Sequence, residues 1–479
     1  MPELSRRRRF LILGICCLSL LIVGMDNSIV NIALTSIHQD LGASLSGLQW
    51  TIDAYTVVLA SLLMFAGSTA DRLGRRRLFQ IGLGVFALGS LLCSLAPTLG
   101  WLIAFRVVQA VGGSMLNPVA LSIVTNVFTE PKERARAIGV WGSVVGLSIG
   151  LGPVVGGSLI DAINWRAIFW VNIPIGLAAL VLTALYVPES RAAHPRRPDP
   201  VGQLLIIALL AGSTFAIIES PRWGWTSPDT LVAGGIAVVA LVALLAYEPQ
   251  RAEPLLDLRF FRSVPFAGAT VIAVCSFAAY SGFLFLNTLY LQEVRGLRPL
   301  VAGVCTLPIA AMTAVLPPIS GRIVASRGAR IPMLLAGLLL CVGAVTLVPL
   351  SASESYWWLT VSYLVFGAGF GLVNAPITNT AVSGMPREQA GTAAAVASTS
   401  RQVGATLGVA IIGTVLASQL NGPLPTGFVA ASRAAWWVIA VLGLAVLAFG
   451  LLSTGRRADA TAQRTARLMA EERVPVLAD

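Results

Sequence analysis

Four charged residues lie inside apolar runs of the chain, and their chemistry needs explanation first: Asp26, Asp53, Arg106 and Arg401. A charge near the centre of a bilayer costs about 2.5 kcal/mol or more, so such residues mark functional sites by default. A carboxylate in a low-dielectric cavity has a raised pKa, which lets it bind a proton near neutral pH and release it when the cavity opens elsewhere. The positions of Asp26 and Asp53 inside apolar runs therefore predict a carrier that couples its transport cycle to the binding and release of protons. Arg106 is the expected counter-ion, because its charge persists in lipid and pairs with whichever carboxylate is ionised.

Each of these residues also has a plainer interpretation. Asp26 could make a helix-packing hydrogen bond, and Arg106 could form a static ion pair. Asp53 could lie at the wet interface beside Trp50, and both interpretations of Asp53 stay open. For Arg401 we favour a structural role, in which its guanidinium binds carbonyl groups at a helix end.

The elements that must position these charges are membrane helices. Of 479 residues 56% are hydrophobic and 11% are charged, which is too apolar for an ordinary soluble domain. About 20 helical residues cross a bilayer, and fourteen runs between residues 10 and 453 are long enough. The net charge of +11 comes from short basic clusters between these runs, so it indicates topology and not nucleic-acid binding. An even helix count with both termini in the cytoplasm puts most clusters on one side.

The runs divide into an all-α arrangement of four segments. We predict a six-helix bundle over 1–187, a linker with two additional transmembrane helices over 188–264, a second six-helix bundle over 265–453, and a cytoplasmic tail over 454–479. The two added helices contain few polar residues and are expected to pack against lipid or a neighbour. The loop that begins at Gly67 and the loop that begins at Gly321 share glycines and an arginine at equal spacing, with Asp71 replaced by Ala325, which indicates an internal repeat.

The fifth helix is rich in glycine, and glycine at every fourth position leaves a stripe without side chains. We expect this helix to pack closely against a helix of the other half and to seal the path against proton leak, although ordinary small-residue packing is the alternative. The residues assigned to this seal are Gly146, Gly150, Gly152, Pro153, Gly156 and Gly157.

A conformational gate is predicted in the loop after the second helix. Asp71, Arg72 and Arg75 could form a charge relay that breaks as the halves rock, while the neighbouring arginines also keep the loop inside.

Polar and aromatic residues in otherwise apolar helices are the candidates for a substrate cavity. A mixed lining of this kind suits amphipathic or cationic organic molecules better than sugars. The candidates are Tyr55, Gln109, Asn117, Tyr280, Phe283, Asn287, Asn374 and Asn379. Since the second half has no acid in mid-membrane, proton coupling is assigned to the first half.

Several motifs resemble the fourteen-helix drug:proton antiporter branch of the major facilitator superfamily. They lie at 26–34, 67–77, 106–113, 150–157 and 165–176, and the resemblance extends from Arg6 to about Ser453. It implies a proton-coupled multidrug efflux transporter that works by alternating access in the bacterial inner membrane. Its expected partners are small amphipathic organic substrates and protons. A lipid or endogenous-metabolite exporter of the same fold is the alternative.

Other classes of protein fit the sequence less well. The two histidines, His38 and His194, stand in loops without a metal-ligand pattern, so an enzyme and a metal site are not expected. We expect no cofactor, a proton gradient as the driving force, no nucleic-acid partner, and a monomer in the lipid bilayer.

Overall fold

The computed structural model describes residues 5–192, 199–251, 253–383, 385 and 389–471, and all its regular elements there are helices. The first seven are α1 (Arg6–Leu41), α2 (Leu45–Leu73), α3 (Arg75–Ser94), α4 (Leu99–Val127), α5 (Pro131–Ala162), α6 (Ala167–Trp170) and α7 (Asn172–Tyr186). They are followed by α8 (Pro200–Trp223) and α9 (Pro228–Tyr247). The remainder are α10 (Val264–Leu289), α11 (Pro299–Cys305), α12 (Leu307–Arg327), α13 (Arg330–Val345), α14 (Tyr356–Val382), α15 (Ala390–Gln419), α16 (Leu424–Ser453) and α17 (Arg456–Glu471).

The predicted all-α membrane fold is confirmed. Within the described residues, 13 helical spans are long and apolar enough to cross a membrane, and the pairs α6 with α7 and α11 with α12 each form one span. The one predicted run that is not among these spans, at about 331–350, corresponds to α13, which is apolar but has only 16 residues.

Local sequence explains where several helices begin. Ser44 accepts a hydrogen bond from the Gly47 backbone, and Asp199 accepts one from Gly202. Such side-chain caps satisfy backbone donors that the first helical turn leaves free. Gly42 ends α1 in the left-handed conformation, with φ 62°, which glycine adopts without steric cost.

Two sets of helices pack among themselves. The first bundle, α1 to α7, is held by contacts such as α1 with α5, α2 with α4 and α3 with α7. The second bundle, α10 to α16, is held by contacts such as α10 with α15, α12 with α14 and α13 with α16. The segment boundaries drawn from the sequence stay a prediction.

Contacts between the bundles concentrate towards one side of the molecule. We call the side where α1 begins and α16 ends the terminal face, and the side where α1 ends and α2 begins the opposite face. Gln49, near the opposite face, donates to the carbonyls of Val409 and Ala410 on α15 at 3.2 and 2.9 Å. Gln292 donates to the Ile32 carbonyl at 2.9 Å. These three hydrogen bonds are part of a seam that joins the bundles at the opposite face.

Towards the terminal face the bundles stand apart. A methyl group added at Gly139 or Gly142 of α5, at Gly321 of α12, or at Gly391 of α15 would meet no atom within 4 Å. The same helices are in contact with the other bundle further along, so the space between the bundles widens towards the terminal face.

The added helices pack against neighbouring helices of the protein, and a polar side chain takes part. Gln203 of α8 is buried and donates to the Ser61 carbonyl of α2 at 2.8 Å. Thr414 of α15 donates to the Ile217 carbonyl of α8 at 2.8 Å. Therefore α8 touches both bundles, while α9 packs against α8.

The predicted tail is mostly helical. In α17, Ala458, Ala462 and Met469 are buried, and Thr461 accepts a hydrogen bond from the Val264 backbone at 3.0 Å. The helix thus packs at the start of α10, and the last residues of the predicted tail, 472–479, lie outside the described residues.

Gly74 joins α2 to α3 with φ 113°, a conformation that side chains rarely adopt. A Cβ atom there would lie 2.5 Å from Oε1 of Glu189, whose carboxylate accepts hydrogen bonds from the backbones of Arg76 and Arg77. Gly74→Ala is therefore expected to destabilise the protein by about 1–3 kcal/mol. Thermal unfolding of the purified protein, followed by tryptophan fluorescence, measures the effect.

Gly67→Ala is the matched control for this prediction, since its Cβ would meet nothing within 4 Å inside α2. It should melt at or above the wild-type temperature, because alanine is the better helix former. Equal melting of both variants would contradict the role given to Gly74.

Candidate functional site

A buried carboxylate and a buried guanidinium meet in the centre of the first bundle. Asp26 of α1 is 0% exposed and Arg106 of α4 is 1% exposed. Arg106 donates from one terminal nitrogen to Oδ2 of Asp26 at 2.5 Å. The other carboxylate oxygen accepts from Gln109 at 2.8 Å and from Asn172 of α7 at 2.9 Å. Three side-chain donors thus satisfy both oxygens of the buried carboxylate.

The guanidinium of Arg106 is held from other sides as well. Its Nε donates to the Thr51 carbonyl at 3.3 Å, and its central carbon lies 4.2 Å from the centre of the Tyr55 ring. The same nitrogen that pairs with the acid also donates to Oε1 of Gln109 at 2.8 Å. The sequence-based pairing of Arg106 with an acid thus corresponds to contact with Asp26.

Two predicted cavity residues are instead part of this network, which is a correction. Tyr55 and Gln109 are both 0% exposed and lie inside the first bundle. Both side chains lie beside the Asp26–Arg106 ion pair, because a buried ion pair needs further hydrogen bonds and a polarisable surface around it.

Sequence reasoning missed Ser90 and Asn172 as members of the network. The Ser90 hydroxyl accepts from Asn172 at 3.2 Å and from Gln109 at 3.3 Å, and it donates to the Phe169 carbonyl at 2.9 Å. Asn172 lies in one of the motifs used for the resemblance, but only the fold shows that it reaches Asp26.

Asp53 lies in a different environment. It is 0% exposed, it accepts one long hydrogen bond from Thr56 at 3.3 Å, and its Oδ2 has no partner among the described residues. The possibility that it lies at a wet interface is therefore wrong. A buried carboxylate with an unpartnered oxygen and no cation beside it is stable only when it holds a proton.

The neighbouring Trp50 is partly buried and contacts α8. Its Nε1 donates to Oε1 of Glu219 at 2.8 Å, and Glu219 is only 7% exposed. Glu219 stands at the end of an apolar run, and this position alone does not predict a contact with α2.

The glycines of α5 face two different partners. A Cβ atom at Gly146 would lie 3.1 Å from Cα of Ala314, and one at Gly157 would lie 2.5 Å from Cα of Leu300. Gly150 faces Ala310 in the same way, at 3.1 Å from its Cβ. These three glycines therefore pack against α11 and α12 of the second bundle, as the sequence predicts.

Gly152 and Gly156 have another role, which corrects part of that prediction. Added Cβ atoms there would clash with Ser28 and Ile29 of α1, within the same bundle. The Ser28 hydroxyl also donates to the Ser148 carbonyl at 3.2 Å. The two glycines let α5 approach α1, and only their neighbours serve the seam. Pro153 lies inside α5, and its carbonyl lies against Gly303 of α11.

The predicted charge relay is partly assembled. Asp71 pairs with Arg75 at 2.8 Å, one helical turn along the chain, whereas Arg72 is exposed. The Asp71 carbonyl accepts from the Ala192 backbone at 3.1 Å. This loop is therefore tied to the segment after α7 and not to the second bundle in this conformation.

The predicted cavity residues of α10 are mostly internal, which is a further correction. Phe283 is 0% exposed and stacks on Phe366 with ring centres 4.1 Å apart. Asn287 is 1% exposed and accepts a hydrogen bond from the Tyr363 hydroxyl at 2.6 Å. Tyr280 stacks on a ring of α14, at a centre distance of 4.0 Å from Phe370. Helix packing uses these side chains because both faces of α10 are covered.

The remaining candidates are more accessible. Asn379 is exposed, while Asn374 and Asn117 are partly buried, and Oδ1 of Asn117 has no partner among the described residues. Arg401 reaches from α15 to α14, where it donates to the Thr378 hydroxyl at 2.5 Å and weakly to the Asn374 carbonyl at 3.5 Å. The predicted contact with carbonyl groups is thus limited to the Asn374 carbonyl, and the shorter hydrogen bond goes to the Thr378 hydroxyl.

No group of three potential metal-ligating acids, histidines or cysteines occurs in the part of the chain that the structure describes. The six cysteines are unpaired and are buried or partly buried. His194 lies outside the described residues.

Comparison with known proteins gives the context for this arrangement. Residues 16–409 match the model of the Major Facilitator Superfamily. The multidrug resistance protein Stp of Mycobacterium tuberculosis is 38% identical over 85% of this chain and 76% of its own length. The methylenomycin A resistance protein of Streptomyces coelicolor is 37% identical over 82% of this chain and 83% of its own length. The tetracenomycin C resistance and export protein of Streptomyces glaucescens is 34% identical over 85% and 75%.

Solved structures share the fold at low sequence identity. A bacterial homologue of the human lysosomal transporter Spinster, in an inward-facing and unoccupied conformation, gives a TM-score of 0.63 at 16% identity and covers 99% of this chain and 100% of that one. A peptide transporter in complex with sulfate gives a TM-score of 0.68 at 16% identity and covers 98% and 97%.

Proposed function

The chain belongs to the Major Facilitator Superfamily, and from this premise we propose that it is a proton-driven exporter of amphipathic organic drugs or antibiotics. Relatives at 34–38% identity carry names of multidrug resistance, antibiotic resistance and export. The observation that carries the proton coupling is the fully buried Asp26, held by Arg106, Gln109 and Asn172. No enzymatic step and no cofactor is part of the proposal, and the transporter acts as a monomer.

The proposed orientation places both chain ends in the cytoplasm of a bacterium. The terminal face carries the basic cluster Arg6 to Arg9 and the arginines of the α2–α3 loop, as the excess of positive charge on cytoplasmic loops requires. In this orientation the space between the bundles is open to the cytoplasm and the seam closes the external side. The conformation is then the one that takes up substrate from the cell.

Alternating access follows from movement of one bundle against the other. The seam at the opposite face separates, and α5 then approaches α12 along its terminal half, where Gly139 and Gly142 face open space at present. A ligand can bias this movement only through a difference in its affinity for the two states. Protonation from outside is proposed to favour release of the substrate and the return of the bundles, and deprotonation inside restores affinity.

The two buried acids are proposed to carry protons in different parts of this cycle. Asp26 has hydrogen-bond donors on both carboxylate oxygens, whereas one carboxylate oxygen of Asp53 has no partner among the described residues. Two carboxylates in such different environments suit a cycle in which one is loaded while the other is empty.

Transport in reconstituted vesicles tests the proposed function. Vesicles with an acidic lumen and the terminal face outward should accumulate amphipathic dyes against their gradient, and the accumulation should stop when a protonophore dissipates the pH difference. Each exchanged proton supports a roughly tenfold concentration ratio per pH unit, since 1.4 kcal/mol corresponds to a factor of ten. Failure to move any of a set of cationic, neutral and anionic dyes would refute proton-driven drug export.

Asp53→Asn is expected to leave folding intact and to remove the acceleration of transport by the pH gradient, because asparagine resembles the protonated acid in shape and charge. Downhill dye exchange without a gradient should persist. The exposed Asp229→Asn on α9 is the matched control and should behave as wild type. Gradient-driven transport by Asp53→Asn at the wild-type rate would exclude Asp53 from coupling.

A further inference from the structure

The four charged residues inside apolar runs do not all have an oppositely charged neighbour. Asp26 and Arg106 neutralise each other inside the first bundle. Asp53 is fully buried and has no cation partner among the described residues. It therefore adds no charge to this region when it is protonated. Arg401 remains, and it is a cation without a carboxylate among its contacts in the described ranges.

None of α10 to α16 supplies an acid to Arg401. Their sequences contain no aspartate or glutamate, and Glu293, in the short helix Tyr290–Val294 that follows α10, stands towards the opposite face. The contacts of the guanidinium are neutral oxygens: the Thr378 hydroxyl at 2.5 Å, the Asn374 carbonyl at 3.5 Å and the Ser398 hydroxyl at 3.5 Å. Its Nε is buried and has no acceptor at all within the described chain.

An arginine in this condition is costly unless something else binds it. Its guanidinium keeps its charge at any physiological pH and presents donors in a planar fork that fits a carboxylate. Arg106 illustrates the satisfied case, since it has a carboxylate, an amide and a carbonyl as acceptors. Arg401 has donor capacity left over, and the missing acceptor is negatively charged.

The position of Arg401 decides where that acceptor comes from. Val403, two residues further along α15, packs against the cluster of Val57, Ala60 and Leu210 that closes the space between α2, α8 and α15. Gly391, at the start of α15, faces open space. Arg401 therefore stands where the seam ends and the opening towards the terminal face begins.

Other polar groups beside it are also accessible. Thr378 and Asn379 of α14 are exposed, and Arg401 itself is only partly buried. Because α14 is a membrane helix, exposed polar side chains at this end suit a surface that faces the opening between the bundles and not lipid. The guanidinium thus has a partly accessible side next to the exposed Thr378.

We propose that Arg401 binds an acidic group of the exported compound, such as a carboxylate or an ionised phenol, so that the substrate class includes amphipathic organic anions. This inference rests on the proposed export function and narrows its substrate. Asn374 and Thr378 orient the guanidinium, and the free Nε edge completes a two-point contact with the anion. Arg106, the other arginine inside an apolar run, is occupied by Asp26.

Binding and transport of an anionic and a cationic dye test the assignment. Fluorescein, a carboxylate with an ionised phenol, and ethidium, a cation, are used with the full-length protein in detergent for binding by fluorescence anisotropy and in vesicles for transport. Arg401→Gln is expected to weaken fluorescein binding roughly ten- to one-hundred-fold, as for loss of a charge-assisted hydrogen bond, and to leave ethidium unaffected. Arg401→Lys should bind fluorescein with intermediate affinity, because it keeps the charge and loses the fork.

Two controls separate this role from a structural one. Arg433→Gln removes an exposed arginine of α16 and should leave both dyes unaffected. Arg401→Gln should melt at or above the wild-type temperature, since it removes a partly buried charge that lacks a counter-charge. A lower melting temperature with equal loss of both dyes would assign Arg401 to the α14–α15 contact and overturn the proposal.

The remaining outcomes distinguish the substrate class from the export function. Wild-type protein that binds and transports ethidium but not fluorescein would overturn the anion site and leave drug export standing. Wild-type protein that binds fluorescein through Arg401 but transports neither dye would support the site and contradict the proposed export. Unchanged fluorescein binding by Arg401→Gln would overturn the site in every case.

Discussion

Replacing Asp26 with asparagine is expected to abolish proton-driven export and to destabilise the protein by about 3–5 kcal/mol, the usual result when one partner of a buried ion pair is removed. The Arg106 guanidinium, 1% exposed, would keep its charge without a carboxylate beside it. Melting temperature and dye uptake in vesicles with an imposed pH gradient measure the two effects separately.

The double variant Asp26→Asn with Arg106→Gln distinguishes coupling from folding. It should regain most of the lost stability, since no unpaired charge remains, but it should not regain gradient-driven transport. Asp40→Asn on the same helix is the matched control, because Asp40 forms an exposed ion pair with Arg166 and exposed pairs contribute little. Normal proton–drug exchange by vesicles with Asp26→Asn would show that this carboxylate does not couple transport.

The second large effect is expected at the seam, from Gly157→Ala. The new Cβ would lie 2.5 Å from Cα of Leu300, and two backbones in contact leave no flexible side chain to move aside. Overpacking of this kind costs roughly 1–3 kcal/mol, and the cost falls only on the conformation in which the opposite face is closed. The protein should therefore shift towards separation at this face, and export should fall because one state of the cycle is depleted.

Gly84→Ala tests whether the position matters more than the substitution. Gly84 lies on α3 of the first bundle, and a Cβ atom there would meet nothing within 4 Å, so this variant should transport as wild type does. Spin labels at the exposed Ile163 and Trp357 would report the distance between the bundles at the opposite face. An unchanged distance in Gly157→Ala would contradict the assignment of α5 to the seam.

The sequence predicted those features that solvation alone dictates. Apolar runs had to become membrane helices, because every backbone polar group in lipid needs a partner within its own segment. A charge such as Arg106 had to find a partner for the same reason, and it lies against Asp26. Gly74 and Gly328 occupy equivalent positions in the two repeated loops, and both have positive φ at a helix end. The repeat in the sequence therefore has a counterpart in the backbone.

The features that depend on helix rotation could not be predicted. Gln109 and Asn287 look like cavity residues in a sequence, but α4 and α10 turn them into the bundle interiors. Gly152 and Gly146 belong to one glycine-rich run, yet a rotation of the helix between them sends one to α1 and the other to α12. Glu219 was missed since an acid at the end of an apolar run is usually at the membrane surface, and only the packing of α8 against α2 shows otherwise.

The hydrogen bonds of the seam have one further consequence for how the bundles move. Gln49 and Gln292 donate their side-chain amides to main-chain carbonyls, and Gln49 already divides its donor between Val409 and Ala410. Main-chain carbonyls inside a helix also accept a hydrogen bond from their own helix, so they keep a partner when the bundles part, and the released amides can bind water instead. Opening the seam therefore costs little hydrogen-bond energy, and the difference in energy between the open and closed states is left to the glycine contacts and to the bound proton and substrate.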